Sequence, residues 1–188
     1  MKREITVLSG LLVGELACRD LSLSDWQQVI EQGRSAQVLG VLYFRLQARD
    51  QLSDVPSDVV WHLESAARVY EKYRRDAQWE IDAFIPVFQA LGQPLILLKG
   101  TAYIFSDKAF AFGRTFSDID LLVKKDVISE LEQALHWYGW AGTHLTDYDQ
   151  RYYREWMHEI PPMIHNKRQT VIDIHHTILP LTAVLKPD

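Results

Sequence analysis

Apolar positions change their spacing once along this chain, and that change divides it in two. Up to about residue 92 they recur at helical intervals. Ser24-Asp25-Trp26-Gln27 has the form of a capping box, with Ser24 as N-cap, and the helix it opens is expected to stop at Gly33. A second helix is expected from Ser35 to Ala48, with Val38, Leu39, Leu42, Tyr43 and Leu46 on one face. Leu52 to Pro56 reads as a turn. Ser57 then caps a long helix carrying Val60, Leu63, Ala67, Tyr70, Ala77, Ile81, Phe84, Phe88 and Leu91, which Pro86 should kink or divide.

From Leu95 the pattern is that of short buried strands separated by helices. Leu95-Ile96-Leu97-Leu98 is a continuous apolar run, followed after Gly100 by a short helix. Asp118 to Val123 reads as a strand and Asp126 to Tyr138 as a helix with Val127, Ile128, Leu131 and Leu135 inward. Trp140 to Thr143 suggests a strand and Tyr148 to His158 a helix. Pro162 to His165 and Thr170 to Ile178 form a hairpin around Asn166-Lys167-Arg168-Gln169. The expected class is α+β, with a helical region over 1–93 and a mixed α/β core over 94–188. The apolar end, Leu179 to Leu185, reads either as a cut within a longer protein or as a small C-terminal element.

Composition fits a globular protein of 188 residues: 47% hydrophobic, 24% charged and a net charge of -5. No basic patch is visible, which disfavours extensive nucleic-acid binding. No run approaches the ~20 apolar residues of a membrane helix, so no membrane partner is expected. The single cysteine, Cys18, suits a reducing compartment, and a cytoplasmic location is expected. The six tryptophans are expected in the core or at helix interfaces. So are Tyr148, Tyr152, Tyr153 and Trp156, although a base-stacking role for these four stays open.

The chemistry concentrates in Ser117-Asp118-Ile119-Asp120-Leu121-Leu122-Val123. Strand alternation puts Asp118 and Asp120 on one face, with Cα atoms about 6.5–7 Å apart. Two adjacent carboxylates repel unless a cation lies between them, and Mg2+ or Mn2+ would take their oxygens while leaving room for phosphates. Alone, such a triplet is common. Asp173, in Val171-Ile172-Asp173-Ile174-His175-His176, adds a third acid inside an apolar run, where burial without a partner is expensive. It is a candidate ligand and a candidate base for an acceptor hydroxyl. Lys99, Gly100 and Thr101 stand at a strand-to-helix turn able to meet phosphate, or to serve only as a turn. Arg114 suits a phosphate or a structural salt bridge. His175 is expected to orient Asp173 or touch phosphate, and His176 to pack inward. His158 and His165 lie near His175 and His176 in sequence. Neighbouring strand histidines face opposite ways, however, and His158-Glu159 lacks the second histidine of an H-E-x-x-H helix, so zinc is disfavoured.

In this order, the motifs resemble the DNA polymerase β-type nucleotidyltransferase superfamily. They are most similar to a bacterial nucleotidyltransferase family marked by Leu98-Lys99-Gly100-Thr101, Arg114 and the Asp118–Val123 strand, with Ile172-Asp173-Ile174-His175-His176 as the third acidic strand. The likeness covers roughly 95–178. It implies a polymerase β-like fold, with a small mixed sheet and helices on one face. It also implies transfer of a nucleoside monophosphate from a nucleoside triphosphate to an unidentified acceptor, with release of pyrophosphate. In that scheme Asp118, Asp120 and Asp173 hold two Mg2+ or Mn2+ ions, and Lys99, Gly100, Thr101 and Arg114 handle the triphosphate. Two further readings are a toxin-like transferase acting on tRNA and an inactive nucleotide-binding protein. Thr101 stands where the superfamily usually has serine or a second glycine, and the gap to Asp118 is longer than in compact members.

Overall fold

A computed structural model describes residues 6–106, 108–143, 146–179 and 183. It contains seven α-helices and five strands among these residues: α1 (Val7–Val13), α2 (Leu23–Ser35), α3 (Leu39–Ala48), α4 (Ser57–Ala90), β1 (Ile96–Leu97), α5 (Lys99–Phe105), β2 (Asp118–Leu122), α6 (Ile128–Trp137), β3 (Trp140–Gly142), α7 (Asp147–Trp156), β4 (Met163–His165) and β5 (Val171–His175). They fall into two compact units. The first holds residues 1–75 and 106–115, the second residues 76–105 and 116–188. The change of pattern at residue 95 therefore differs from the packing division, because α4 runs through residue 75 without interruption.

In the first unit, Leu11, Trp26, Val29, Leu42, Leu46 and Leu63 are fully buried in one core. The α2 cap is Ser22, whose hydroxyl meets the Asp25 amide while the Asp25 carboxylate accepts from the Ser22 amide. Ser24 is thus already inside the helix, and α2 continues past Gly33 to Ser35. Gly33 serves packing instead: a Cβ there would lie 2.3 Å from Leu39 Cδ2. The segment 106–115 joins this unit through Gly113, at φ +80, whose missing Cβ lets it meet the backbone of Gly40.

In the second unit the sheet order is β1-β2-β5-β4-β3. β2 and β5 are parallel; β1 with β2, β5 with β4, and β4 with β3 are antiparallel. Ile119, Leu121, Ile172 and Ile174 point to one face. There they pack with Ile81, Phe84, Val87 and Phe88 of α4 and Ile128, Leu131 and Leu135 of α6. The outcome is an α+β fold with a mixed sheet. Pro86 neither divides nor ends α4, since the buried Phe84, Val87 and Phe88 hold that turn in place. The α7 aromatics are not core: Tyr148, Tyr152 and Trp156 are exposed, because α7 buries no residue. Trp61, Trp79 and Trp137 are exposed too, whereas Trp26 and Trp140 are buried. No helix among the described residues is long and apolar enough to cross a membrane. Most of the apolar C-terminal end lies outside the described residues.

Candidate metal centre on the open face of the sheet

The sheet face opposite the apolar layer carries the acids, and the backbone ladder sets their spacing. In the parallel register of β2 and β5, Asp118 lies beside Val171, Asp120 beside Asp173 and Leu122 beside His175. One carboxylate oxygen from each of Asp118, Asp120 and Asp173 lies within 4.8 Å of the other two. Two acids of one strand and a third more than fifty residues further along the sequence thus converge on one point.

Asp120 is the anchored member. It is 2% exposed, and its Oδ1 accepts from Lys99 Nζ at 2.7 Å and lies 2.9 Å from His175 Nε2. Burial pushes its carboxyl up, but the hydrogen bonds from His175 and Lys99 outweigh this and hold it below its ordinary value. Both contacts use Oδ1. Lys99 reaches Asp120 from the corner between β1 and α5, where its φ is +46, a strained conformation for a residue with a Cβ. Burial alone would lower the lysine pKa. The hydrogen bond and charge of Asp120, with the charges of Glu159 and Asp173, raise it instead.

Asp173 is the unsatisfied member. Its Oδ1 is buried with no hydrogen-bond partner. Burial first, then the charges of Asp118, Glu159 and Asp120, push its pKa to about 6, against a smaller opposing effect of His175. An orphaned carboxylate facing two others fits a divalent cation, which would supply the missing positive charge and take hard oxygen ligands. The three acids together fit the Mg2+ class.

The flanking candidates have mixed placements. Gly100 is required by packing, because a Cβ there would lie 2.8 Å from Phe116 Cβ. Thr101 is fully buried, with its hydroxyl 3.5 Å from the Asp118 carbonyl, where it ties α5 to β2. Arg114 belongs to the first unit, in the 106–115 segment, where its amide donates to the Ala111 carbonyl. His175 is 1% exposed and holds Asp120 rather than Asp173. His176 is buried, as expected, and burial lowers its pKa.

Two residues that the sequence gives no second histidine to mark as a zinc motif, His158 and Glu159, stand beside His175. Glu159 pairs with it across an isolated antiparallel bridge, with Glu159 Oε2 3.3 Å from His175 Nδ1 and 3.6 Å from His158 Nε2. Nothing local marks them except two ionisable groups just ahead of Ile160-Pro161-Pro162-Met163. Only the pairing of 158–160 along β5 reveals their place, through Ile160 N–H to Ile174 and His176 N–H to His158.

A mixed sheet with three convergent carboxylates on one face, one of them orphaned, makes a cluster that could hold a divalent cation. Residues 22–188 match the family described as uncharacterised nucleotidyltransferase, and the chain belongs to that family. Comparison with curated proteins and with solved structures gives no match.

Proposed function

We propose that the second unit transfers a nucleoside monophosphate from a nucleoside triphosphate to an acceptor hydroxyl, with Asp118, Asp120 and Asp173 holding Mg2+ or Mn2+. The observation that carries this reading is the register placing Asp120 beside Asp173, with Asp118 on the same face. When bound, the metal would neutralise phosphate charge and lower the pKa of an oxygen attached to it. The acceptor oxygen forms a bond to the α-phosphorus, the bond to the bridging oxygen of the β-phosphate breaks, and pyrophosphate leaves.

Each side chain has a task in this scheme. Asp173, with a pKa of about 6, is ionised at neutral pH and accepts the acceptor's proton at its carboxylate. His175 and Lys99 fix Asp120 in one rotamer beside Asp118 and Asp173. The exposed part of Lys99, at the edge of the acidic cluster, would meet the triphosphate as a donor. Most of the catalysis is positioning and charge neutralisation. A triphosphate donor also suits the cytoplasmic location expected from the lone cysteine.

The test is a thermal-stability titration of ATP, CTP, GTP and UTP with Mg2+ or Mn2+, on wild type and on Asp118→Ala/Asp120→Ala. Metal-dependent stabilisation by a triphosphate in wild type alone is expected. Its absence for all four nucleotides overturns the reading. With the α-labelled form of the nucleotide that binds, label taken up by acceptors in a cell extract identifies their class, and labelled RNA would point to the tRNA-directed alternative.

A further inference from the structure

A second cluster of metal-type donors lies directly behind the acidic triad, and none of its members belongs to that triad. One atom from each of His158, Glu159 and His175 falls within 4.8 Å of the other two. His175 is 1% exposed; His158 and Glu159 are half-buried at 19% each by side chain. The spacing is informative. Glu159 Oε2 stands 3.3 Å from His175 Nδ1 and 3.6 Å from His158 Nε2. Both exceed the usual 2.7–3.2 Å or so of an N–H···O hydrogen bond. Both are close to the edge of a tetrahedron, about 3.3–3.4 Å for an ion bound at about 2.0–2.1 Å.

Proton placement points the same way. Ionised Asp120 only accepts, so the hydrogen on its side of His175 sits on Nε2. The other ring nitrogen of His175, Nδ1, faces the Glu159 carboxylate at 3.3 Å. His158 Nδ1 is buried with no hydrogen-bond partner, so no network on its far side dictates which tautomer it takes. A cation bound by Nδ1 of His175, Nε2 of His158 and the Glu159 carboxylate would use three donors that already face one another. Around it, His175 would donate its other N–H to a carboxylate, the arrangement that orients most metal-bound histidines.

We propose that His158, Glu159 and His175 form a second metal site, for a zinc-class divalent cation with two imidazoles, one carboxylate and a fourth position open to water. The donor set separates it from its neighbour: imidazole nitrogen selects zinc and its transition-metal relatives, whereas three carboxylates suit Mg2+. The opposed faces of His175 and His176 rule out that pair, but the bridge between Glu159 and His175 brings in ligands from a different strand segment. The ion would pin residues 158–160 to β5 and lock the His175 tautomer that holds Asp120. The inference is independent of the nucleotide reading.

The test uses the full chain, stripped of metal by chelator, with Zn2+ binding measured by competition against a chelating dye. Co2+ is the spectroscopic probe. Tetrahedral Co2+ absorbs visible light strongly and octahedral Co2+ weakly, which separates the histidine site from the acidic one. Wild type should bind one Zn2+ per chain and give the strong Co2+ bands. Glu159→Gln, which keeps the side-chain shape, and His158→Ala should each weaken Zn2+ binding by more than ~100-fold, beyond the loss typical of an outer-shell partner. Melting in chelator checks that both variants fold. Asp118→Asn should keep the Co2+ bands while losing Mg2+-dependent triphosphate binding. The site is refuted by weak Co2+ bands in wild type, by Zn2+ affinity unchanged in folded Glu159→Gln and His158→Ala, or by Zn2+ binding lost in Asp118→Asn.

Discussion

Replacing Asp173 with asparagine removes a charge that the metal-free protein holds at a disadvantage. The carboxyl's pKa stands at about 6 in the fold against an ordinary 3.8, driven by burial and then by Asp118, Glu159 and Asp120. The native state therefore keeps a proton that the unfolded chain has already released, throughout the window between these values. Stability falls as pH rises through that window and levels off above it. The gap corresponds to ~3 kcal/mol at neutral pH. Little is lost in exchange, because Oδ1 has no hydrogen-bond partner to forfeit. In chelator at pH 7.5, Asp173→Asn should thus be the more stable protein by up to ~3 kcal/mol, or roughly 6–12 °C in Tm. The gain should shrink towards zero near pH 4. Adding Mg2+ should reverse the order, since the ion stabilises only the chain with all three carboxylates, and its affinity should drop as pH falls below about 6. Paired melting curves at several pH values, with and without Mg2+, measure all of this. A metal-free Asp173→Asn that is less stable at pH 7.5, or a difference that ignores pH, would refute the electrostatic account.

Other perturbations probe the scaffold. Glu80 is 3% exposed and accepts two hydrogen bonds from Arg168, at 2.6 and 2.7 Å, and one from Thr170. Arg168→Ala should cost about 3 kcal/mol in urea unfolding, because it strands a buried carboxylate and uncovers Trp79, over which the guanidinium lies at 4.5 Å. Gly100→Ala should destabilise by about 1–3 kcal/mol, and adding Phe116→Ala should not restore it, since the collision is with the Cβ of residue 116 itself. Trp26→Ala, at a fully buried position, should lose about 3–5 kcal/mol of first-unit stability, read by hydrogen exchange over 1–75, while leaving Mg2+ binding unchanged.

The hairpin, the strand at Asp118 and the two acids on its face were legible because alternation carries both pairing and facing in a few residues. Asp173 was legible for the same reason. Helix starts were less so: Ser22 and Ser24 both precede plausible caps, and only the Asp25 carboxylate's return to the Ser22 amide separates them. The exposed tryptophans and α7 tyrosines escaped because helical spacing shows which residues share a face, not whether anything covers it. Glu159 and His158 escaped for a deeper reason. Their partner lies along β5, and a bridge between Glu159 and His175 is a tertiary pairing with no local pattern.

The parallel pairing of β2 with β5 also bears on how the chain can vary. All of α6, β3, α7 and β4 lies in the connection between these two strands. Lengthening or shortening that connection leaves the ladder, and with it the Asp120–Asp173 alignment, intact. Deleting one residue between Asp118 and Asp120 is different, because it turns a carboxylate from the open face into the apolar layer. Length polymorphism should therefore concentrate in the turns joining these elements, outside the buried α6 face and the 158–160 segment paired with β5, while the spacing within each acidic strand stays fixed. An insertion in such a turn adds surface to the second unit without disturbing the alignment of Asp118, Asp120 and Asp173.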